Sequence, residues 1–349
     1  VAPSRGLGDV YKRQVYEGAG SIRANITTTG TEKFAVDVDG TVTYMPLNSK
    51  RGNLYLAENL ADGKHTIKVY KTQEAMTGLA QLNYLMYDEN AKLSPIETDY
   101  NFLIIGASST CGNQMDPNTG AEDGYRAFPS VISRAYNATW QQISCSGRGC
   151  TQGTLGENGW AFSQEGQLAE MYRYQSWFRD KETVYDTASY IPDVIITNFN
   201  NDFGKSALAQ GYSVDEVFVH MMEFIAELRE TYPEAYIVMT YGNYPNYDSA
   251  DKYSNYQIIE KYKENVANYK TTSGDDKIAF VTFPDVVNGQ SGHPNAEEHQ
   301  YLSELVSAQI SEFLNVANPL PLSHFEVENG TIVNGGDCLL YTSPSPRDG

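Results

Sequence analysis

The chain has 349 residues, a length that suits two domains, because a domain averages roughly 150 residues. Its formal net charge of −19 repels phosphate backbones and anionic lipids, which argues against nucleic acid and membrane surfaces as partners. The sequence has no apolar run near the roughly 18 residues that a transmembrane helix requires.

The two ends of the chain read as translated adapter DNA. Residues 4–14 can be back-translated into DNA whose reverse complement, read one base later, encodes the sequence found at 338–347. An oligonucleotide inverted at both ends of a gene is typical of sequencing libraries, although a biological inverted repeat gives the same pattern. We therefore expect residues 1–14 and 338–349 to be artefacts and leave them out of the fold prediction. Any natural signal peptide would lie beyond this boundary.

Residues 15–96 are predicted to form a small β-sandwich domain. Short segments rich in β-branched and aromatic residues show partial apolar–polar alternation, and polar turns separate them. These segments are residues 34–39, 54–56, 65–70 and 82–87. Gly40 marks one turn, and the pair Asp62-Gly63 predicts a hairpin. Residues 95–99 form the expected linker to the next domain.

From residue 100 to residue 315, strands alternate with helices. The candidate strands are the apolar runs at 102–105, 140–144, 194–198, 235–241 and 278–283. A capping box of Ser213 and Glu216 begins one helix, and residues 295–315 carry apolar side chains at helical spacing. Such alternation predicts an α/β domain with three layers, in which a parallel sheet lies between helices and the site lies at the carboxyl ends of the strands.

Chemically active residues follow these strands in an order that suits acyl transfer. Such a site needs a nucleophile, a base and hydrogen-bond donors for the oxyanion. We assign Ser108, after the first strand, as the nucleophile, and His293, before the last helix, as the general base. The backbone N–H groups of Ser108 and Gly147 and the side-chain amide of Asn201 are the predicted oxyanion hole. Each segment alone is common as a turn, a loop or a helix cap, so the prediction rests on their order and spacing.

These motifs resemble those of a known family. The sequence Gly-Ala-Ser-Ser-Thr-Cys-Gly at 106–112 resembles the Gly-Asp-Ser-Ile-Thr-Cys-Gly block of SGNH (GDSL-type) hydrolases, specifically of carbohydrate esterase family 2. Gly147, Asn201 and the pair His293-Pro294 match the oxyanion and histidine blocks of that family. Residues 60–75 resemble its jelly-roll strands.

The resemblance implies a secreted serine esterase that removes O-acetyl groups from plant cell-wall polysaccharides, such as acetylated xylan or glucomannan. It implies that no metal and no other cofactor is needed. The expected partner is an acetylated polysaccharide or oligosaccharide, and we expect a monomer. One alternative is an esterase for lipid or aryl esters, which would need an apolar acyl pocket. Another is a non-catalytic carbohydrate-binding protein, which the departures at Ala107 and Ser291 would suit.

Two departures concern the chemistry directly. Ala107 stands where the family usually has Asp, but that Asp is not the nucleophile. Ser291 stands where many relatives carry the acid of a catalytic triad, and residues 288–292 contain no carboxylate. Because some family members use a serine–histidine dyad with a backbone carbonyl that orients the imidazole, we expect a dyad here. Asp285 is the alternative acid.

Other residues carry weaker signals. Trp160, in the Gly-rich segment 153–166, is the candidate sugar-stacking platform, whereas Trp140 is expected in the core. Phe199 stands where the family's Gly-x-Asn-Asp pattern begins, so the rim near the oxyanion hole is expected to differ. Cys145 and Cys150 are spaced to close a small disulfide loop or to remain free thiols.

Residues 316–337 are predicted to be a linker followed by the start of a truncated carbohydrate-binding module. The segment 325–336 resembles the first strand of such β-sandwich modules. An ordinary tail is the alternative.

Overall fold

A computed structural model describes residues 11–48, 51–153, 166–177, 180–242, 254–284, 288–322, 325–328 and 331–334. Within these ranges, the first domain contains eight strands. They are β1 Tyr11–Glu17, β2 Gly20–Thr28, β3 Glu32–Val38, β4 Thr41–Leu47, β5 Arg51–Leu60, β6 Lys64–Lys71, β7 Ala80–Tyr87 and β8 Lys92–Pro95. Two antiparallel sheets result, in the orders β4-β3-β6-β1-β8 and β5-β2-β7, which confirms the predicted sandwich.

The sandwich is held by alternate apolar residues that face inward from both sheets. In β2, Ile22, Ala24 and Ile26 are buried, while Arg23 between them is partly exposed. Apolar residues of the neighbouring strands complete this core: Phe34, Val36, Leu54, Leu56, Ile67 and Val69. The period of two in the sequence therefore corresponds to one buried and one outer face.

Strand β1 includes residues 11–14, which the sequence pattern assigns to the adapter. These residues pair with β6 from Tyr11↔Tyr70 to Gln14↔Ile67. Strand pairing uses backbone N–H and C=O groups, which any residue except proline supplies. The pairing therefore does not distinguish natural residues from adapter residues, and the assignment stays a prediction.

The two predicted turns have different outcomes. Asp39 and Gly40 both have positive φ, 52° and 85°, and they join β3 to its partner β4, as expected for a tight hairpin. The hairpin predicted at Asp62-Gly63 is wrong, because β5 pairs with β2 while β6 pairs with β1 and β3. The chain does turn there, but β5 and β6 lie in opposite sheets, where the apolar face of each strand is buried.

The second domain alternates strands and helices. In chain order its elements are β9 Tyr100–Gly106, α1 Ser108–Cys111, α2 Phe128–Ala135, β10 Ala138–Ser144, α3 Leu168–Met171, β11 Tyr174–Ser176, β12 Asp180–Val184, β13 Val194–Asn198, α4 Lys205–Gln210, α5 Val214–Thr231, β14 Tyr236–Gly242, α6 Asn255–Ser273, β15 Ile278–Phe283 and α7 Ala296–Leu314. A parallel sheet has the order β10-β9-β13-β14-β15, and β11 pairs with β12 in a separate hairpin.

Helices cover both faces of this sheet, which confirms the three-layer α/β/α prediction. Leu103 and Ile105 of β9 face one layer, together with apolar residues of α5 and α6. Phe102 and Ile104 face the other layer, which α2 and α7 supply. Because β9 is apolar on both faces, its sequence is a continuous hydrophobic run. Helix α5 begins with the predicted capping box at Ser213.

The two domains meet through polar and aromatic contacts. The Tyr70 ring stacks on the Trp140 ring with a centroid distance of 5.8 Å, so the expectation that Trp140 is buried is confirmed. Gly124 donates its N–H to the Thr72 carbonyl at 2.7 Å, and the Tyr44 hydroxyl donates to Asp123 at 2.7 Å. The first domain thus rests against the loop between α1 and α2.

Beyond α7, two short strands, β16 Phe325–Glu328 and β17 Thr331–Asn334, pair in antiparallel fashion. A module that begins here stays a prediction. Among the helices in the described ranges, none combines the length and apolar character needed to cross a membrane.

Candidate active site

Strand β9 of the parallel sheet and its two neighbours, β10 and β13, end at one level. Ser144 of β10 and Asn198 of β13 are both in register with Gly106, the last residue of β9. Since the strands are parallel, the loops that follow them leave the sheet side by side. The segments that carry Ser108, Gly147 and Asn201 therefore start at the same edge.

Ser108 lies at the start of α1, two residues beyond the end of β9, and only 5% of its surface is exposed. The turn is tight because Gly106 has no side chain. A Cβ at this position would collide with the Thr110 side chain and would lie 3.2 Å from the Asn198 carbonyl oxygen. The Thr110 hydroxyl hydrogen-bonds to the Ala107 carbonyl at 2.6 Å and to the Ser144 hydroxyl at 2.7 Å. These bonds fix α1, and with it Ser108, against the end of β10.

His293 follows a short 3-10 turn, Gln290–Gly292, whose backbone is unusual. Ser291 has a positive φ of 53°, which non-glycine residues rarely adopt. This turn brings the Gln290 carbonyl to the imidazole, where His293 Nδ1 donates a hydrogen bond at 3.2 Å. The backbone N–H of Gln290 in turn bonds to the Gln114 carbonyl at 2.8 Å, so the histidine segment contacts the loop after α1.

Burial of the His293 imidazole favours its neutral form. Burial lowers the pKa of His293 below 6.5, and contacts with the backbone of Gln290 and Ser291 oppose this effect. A neutral imidazole has a nitrogen that can accept a proton, which a general base needs. Asp285, the alternative acid, lies outside the described residues.

Glu298 holds both ends of the histidine segment, a role that was not predicted from the sequence. Its buried carboxylate accepts hydrogen bonds from the backbone N–H of Asn288 at 2.9 Å and of Asn295 at 2.8 Å. It also accepts one from the Asn288 side chain at 2.7 Å. Asn295 and Glu298 form the capping box of α7, so the signal in the sequence was the spacing of these two residues.

The oxyanion candidates lie on two adjacent loops. Gly147 has a positive φ of 74°, a conformation that favours glycine. The Asn201 side-chain amide donates to the Arg148 carbonyl at 3.3 Å, which ties the second loop to the first. Each candidate donor is thus held by backbone geometry or by a neighbouring loop.

Asp202, next to Asn201, fixes the loop that carries Gly147. Its fully buried carboxylate accepts hydrogen bonds from the backbone N–H groups of Cys150, Thr151 and Gln152. Burial raises the pKa of Asp202 to about 6, although these N–H groups favour the charged form. The sequence pattern places Asp202 in the right loop but does not indicate this role.

Sequence comparisons relate this chain to carbohydrate esterases. Residues 17–96 match the family described as Carbohydrate esterase 2 N-terminal. Over 308 residues the chain is 28% identical to the cellulase/esterase CelE of Acetivibrio thermocellus, and the match covers 83% of this chain but 35% of that protein. Over 286 residues it is 21% identical to an acetylxylan esterase / glucomannan deacetylase of Cellvibrio japonicus, covering 78% of this chain and 74% of that one.

Carbohydrate esterases of family 2 are thus the proteins to which this chain is similar, in sequence and in fold. These relatives are carbohydrate esterases, which belong to the carboxylic ester hydrolases. The chain spans about a third of the length of CelE and about three quarters of the length of the Cellvibrio enzyme.

Solved structures of family 2 esterases have the same fold. One from Clostridium thermocellum, in complex with cellohexaose, matches with a TM-score of 0.76 at 24% identity and covers 90% of this chain and 95% of its own. One from Cellvibrio japonicus matches with a TM-score of 0.74 at 18% identity, covering 89% and 91%. At these identities the likeness concerns the fold, an SGNH-type domain preceded by a jelly roll.

The structure also bears on other residues for which the sequence predicted a role. Cys145 and Cys150 are buried free thiols in the structure, so no disulfide closes this loop. Phe199 is fully buried and packs in the core near Phe224, with a centroid distance of 6.2 Å. Trp160, the candidate sugar platform, lies outside the described residues.

Proposed function

We propose that this protein is a serine esterase that removes O-acetyl groups from acetylated plant cell-wall polysaccharides, with xylan and glucomannan as the candidate substrates. The observation that carries the proposal is the placement of a serine at the start of α1, directly beyond strand β9, in a chain whose relatives are named acetylxylan esterase / glucomannan deacetylase. The Clostridium thermocellum esterase with the same fold was solved in complex with cellohexaose, which supports a glycan as the ligand class.

In the proposed mechanism, Ser108 Oγ attacks the carbonyl carbon of the acetyl ester while His293 Nε2 takes the hydroxyl proton. The oxygen that becomes negative is stabilised by the N–H groups of Ser108 and Gly147 and by the amide of Asn201. The bond between the acetyl carbonyl carbon and the sugar oxygen then breaks, and His293 gives its proton to that oxygen. Water repeats these steps on the acetyl-serine and releases acetate.

The orientation of His293 supports a dyad rather than a triad. The Gln290 carbonyl can only accept a hydrogen bond, so its contact with Nδ1 leaves the Nε2 lone pair to act as the base. The carbonyl fixes the tautomer in the way that a carboxylate does in a triad. Because a carbonyl carries no charge, we expect it to stabilise the imidazolium less than a carboxylate would.

The test is release of acetate from acetylated xylan and from acetylated glucomannan by the wild type, Ser108→Ala and His293→Ala. We expect release by the wild type and a loss of about 10³-fold or more in kcat for either variant, as for other nucleophile–base pairs. A Ser108→Ala variant with wild-type activity would refute the assignment. Wild-type binding to the polysaccharide without release of acetate would favour the non-catalytic alternative.

The length of the acyl chain distinguishes the remaining alternative. We expect hydrolysis of 4-nitrophenyl acetate to exceed that of the butyrate and octanoate esters. A preference for the longer chains would indicate an apolar acyl pocket and an esterase for lipid or aryl esters. Ser108→Ala serves as the control for spontaneous hydrolysis of these activated esters.

A further inference from the structure

Glu74 of the first domain reaches into the active-site edge of the second. It follows β6 and is 6% exposed. Its carboxylate oxygen Oε2 accepts a hydrogen bond from the backbone N–H of Ser146 at 2.7 Å. The Cys111 thiol approaches the same oxygen at 3.8 Å. One oxygen atom from the first domain therefore contacts two separate segments of the second.

Both segments carry residues of the proposed mechanism. Ser146 directly precedes Gly147, whose N–H is a proposed oxyanion donor. Cys111 is the last residue of α1, the four-residue helix that begins with Ser108. Ser146 is also held by its side chain, because Asn113 Nδ2 donates to its hydroxyl at 2.8 Å. The contacts of Ser146 thus connect the oxyanion loop to the nucleophile segment.

Glu74 is itself fixed by buried polar groups. Its backbone N–H bonds to Glu122 Oε1 at 2.5 Å, and its carbonyl accepts from Lys71 Nζ at 3.2 Å. Lys71 forms an ion pair with Glu32 at 3.0 Å, and both side chains are fully buried. These contacts fix the backbone of Glu74, from which its side chain extends to Ser146.

The same cluster has the composition of a metal site, because potential ligand atoms of Glu74, Cys111 and Glu122 lie within 4.8 Å of one another. Burial raises the pKa of all three groups, which favours their protonated forms. Hydrogen bonding accounts for part of this arrangement, because Glu74 Oε2 already contacts the Cys111 thiol and the Ser146 N–H. A protonated carboxyl group keeps a carbonyl oxygen that can accept from Ser146.

We propose that Glu74 is a positioning residue of the active site, through which the first domain sets the place of the Gly147 N–H. The proposal rests on the proposed esterase function for its catalytic consequence. Its structural part, that Glu74 holds the loop at Ser146, stands independently. For the position of this loop, the distance from the acceptor oxygen to the Ser146 N–H matters more than the negative charge, because a neutral acceptor makes the same hydrogen bond.

Two conservative variants distinguish the effect of side-chain length at Glu74 from the effect of its negative charge. Glu74→Gln keeps the length and an acceptor oxygen, and we expect kcat within about threefold of the wild type. Glu74→Asp keeps the carboxyl group but shortens the side chain by one methylene. We expect Glu74→Asp to lower kcat on 4-nitrophenyl acetate by about 10–100-fold with KM nearly unchanged, since loss of a whole oxyanion donor costs about 10²–10³-fold.

Tyr44→Phe is the matched control, because it removes another hydrogen bond between the domains, 2.7 Å from the Tyr44 hydroxyl to Asp123. We expect it to lower the unfolding temperature without changing kcat. Hydrogen exchange, read by mass spectrometry on the peptide that contains residues 145–149, is the second measurement. We expect faster exchange in Glu74→Asp than in the wild type or Tyr44→Phe.

The outcomes distinguish a positioning role of Glu74 from a general effect of the domain interface and from failure of the esterase function. A folded Glu74→Asp protein with wild-type kcat and wild-type exchange at 145–149 would overturn the proposal. So would equal losses of kcat in Glu74→Asp and Tyr44→Phe, which would indicate a general effect of the domain interface. If the wild type releases no acetate from any ester, the esterase function fails, and the exchange measurement still decides whether Glu74 positions the loop.

Discussion

Replacement of Gly106 by alanine is expected to disturb both stability and catalysis. The new Cβ would collide with the Thr110 side chain and lie 3.2 Å from the Asn198 carbonyl oxygen. The Asn198 carbonyl belongs to the backbone of β13, so it cannot move aside as a flexible side chain could. If Thr110 rotates, it loses its bonds to Ala107 and Ser144. Overpacking costs about 1–3 kcal/mol and each hydrogen bond about 1 kcal/mol.

Alanine also restricts the unfolded chain, which recovers about 0.4–1 kcal/mol. We therefore expect Gly106→Ala to lower the free energy of unfolding by about 2–5 kcal/mol. Because α1 must shift to relieve the contact, kcat should fall as well. Gly30→Ala is the control, since the nearest atom to its added Cβ is the Thr77 carbonyl oxygen at 3.6 Å, an ordinary contact.

The assay is urea unfolding of Gly106→Ala, Thr110→Ser and the double variant. Thr110→Ser removes the methyl group, which is the nearer of the two Thr110 atoms that the new Cβ meets, but keeps the hydroxyl group. The double variant should therefore recover about 1 kcal/mol or more relative to the sum of the single changes, as contacting residues usually do. Strictly additive effects, or a Gly106→Ala protein as stable as Gly30→Ala, would refute the steric reasoning.

Two further predictions concern His293. Because burial lowers the pKa of His293 below 6.5, its imidazole stays neutral to lower pH than a free histidine. The acidic limb of kcat/KM for 4-nitrophenyl acetate should therefore have its midpoint below pH 6.5. A midpoint above pH 6.5 would contradict the described burial of His293. Glu298→Ala removes the acceptor for three hydrogen bonds that hold the histidine segment, so kcat should fall about 10-fold or more while KM changes little. Glu297→Ala, one residue away and exposed, is the control and should behave as the wild type.

Much of the fold could be predicted because it is encoded locally. The run Phe102 to Ile105 is apolar at every position, which is typical of a strand covered on both faces, and it ends at Gly106. Ser213 and Glu216 indicate the start of α5 in the same direct way. In each case the residues that carry the signal are close neighbours in the chain.

Interactions between distant residues could not be predicted in this way. Glu74 and Ser146 are far apart in the sequence and lie in different domains, and neither has an unusual neighbourhood that would identify the other. The Asp62-Gly63 turn failed for a related reason. A turn sequence fixes a change of direction, whereas the partner of each strand depends on which apolar face must be covered.

The backbone carbonyl at His293 has a consequence for how this protein can change over evolutionary time. A catalytic aspartate is lost through one nucleotide change, but every amino acid that could replace Gln290 also has a carbonyl group. Only a change in the path of the chain, such as at Gly289 or Gly292, could move this acceptor away from Nδ1. The partner of the histidine is therefore inherited as a loop conformation rather than as a side chain.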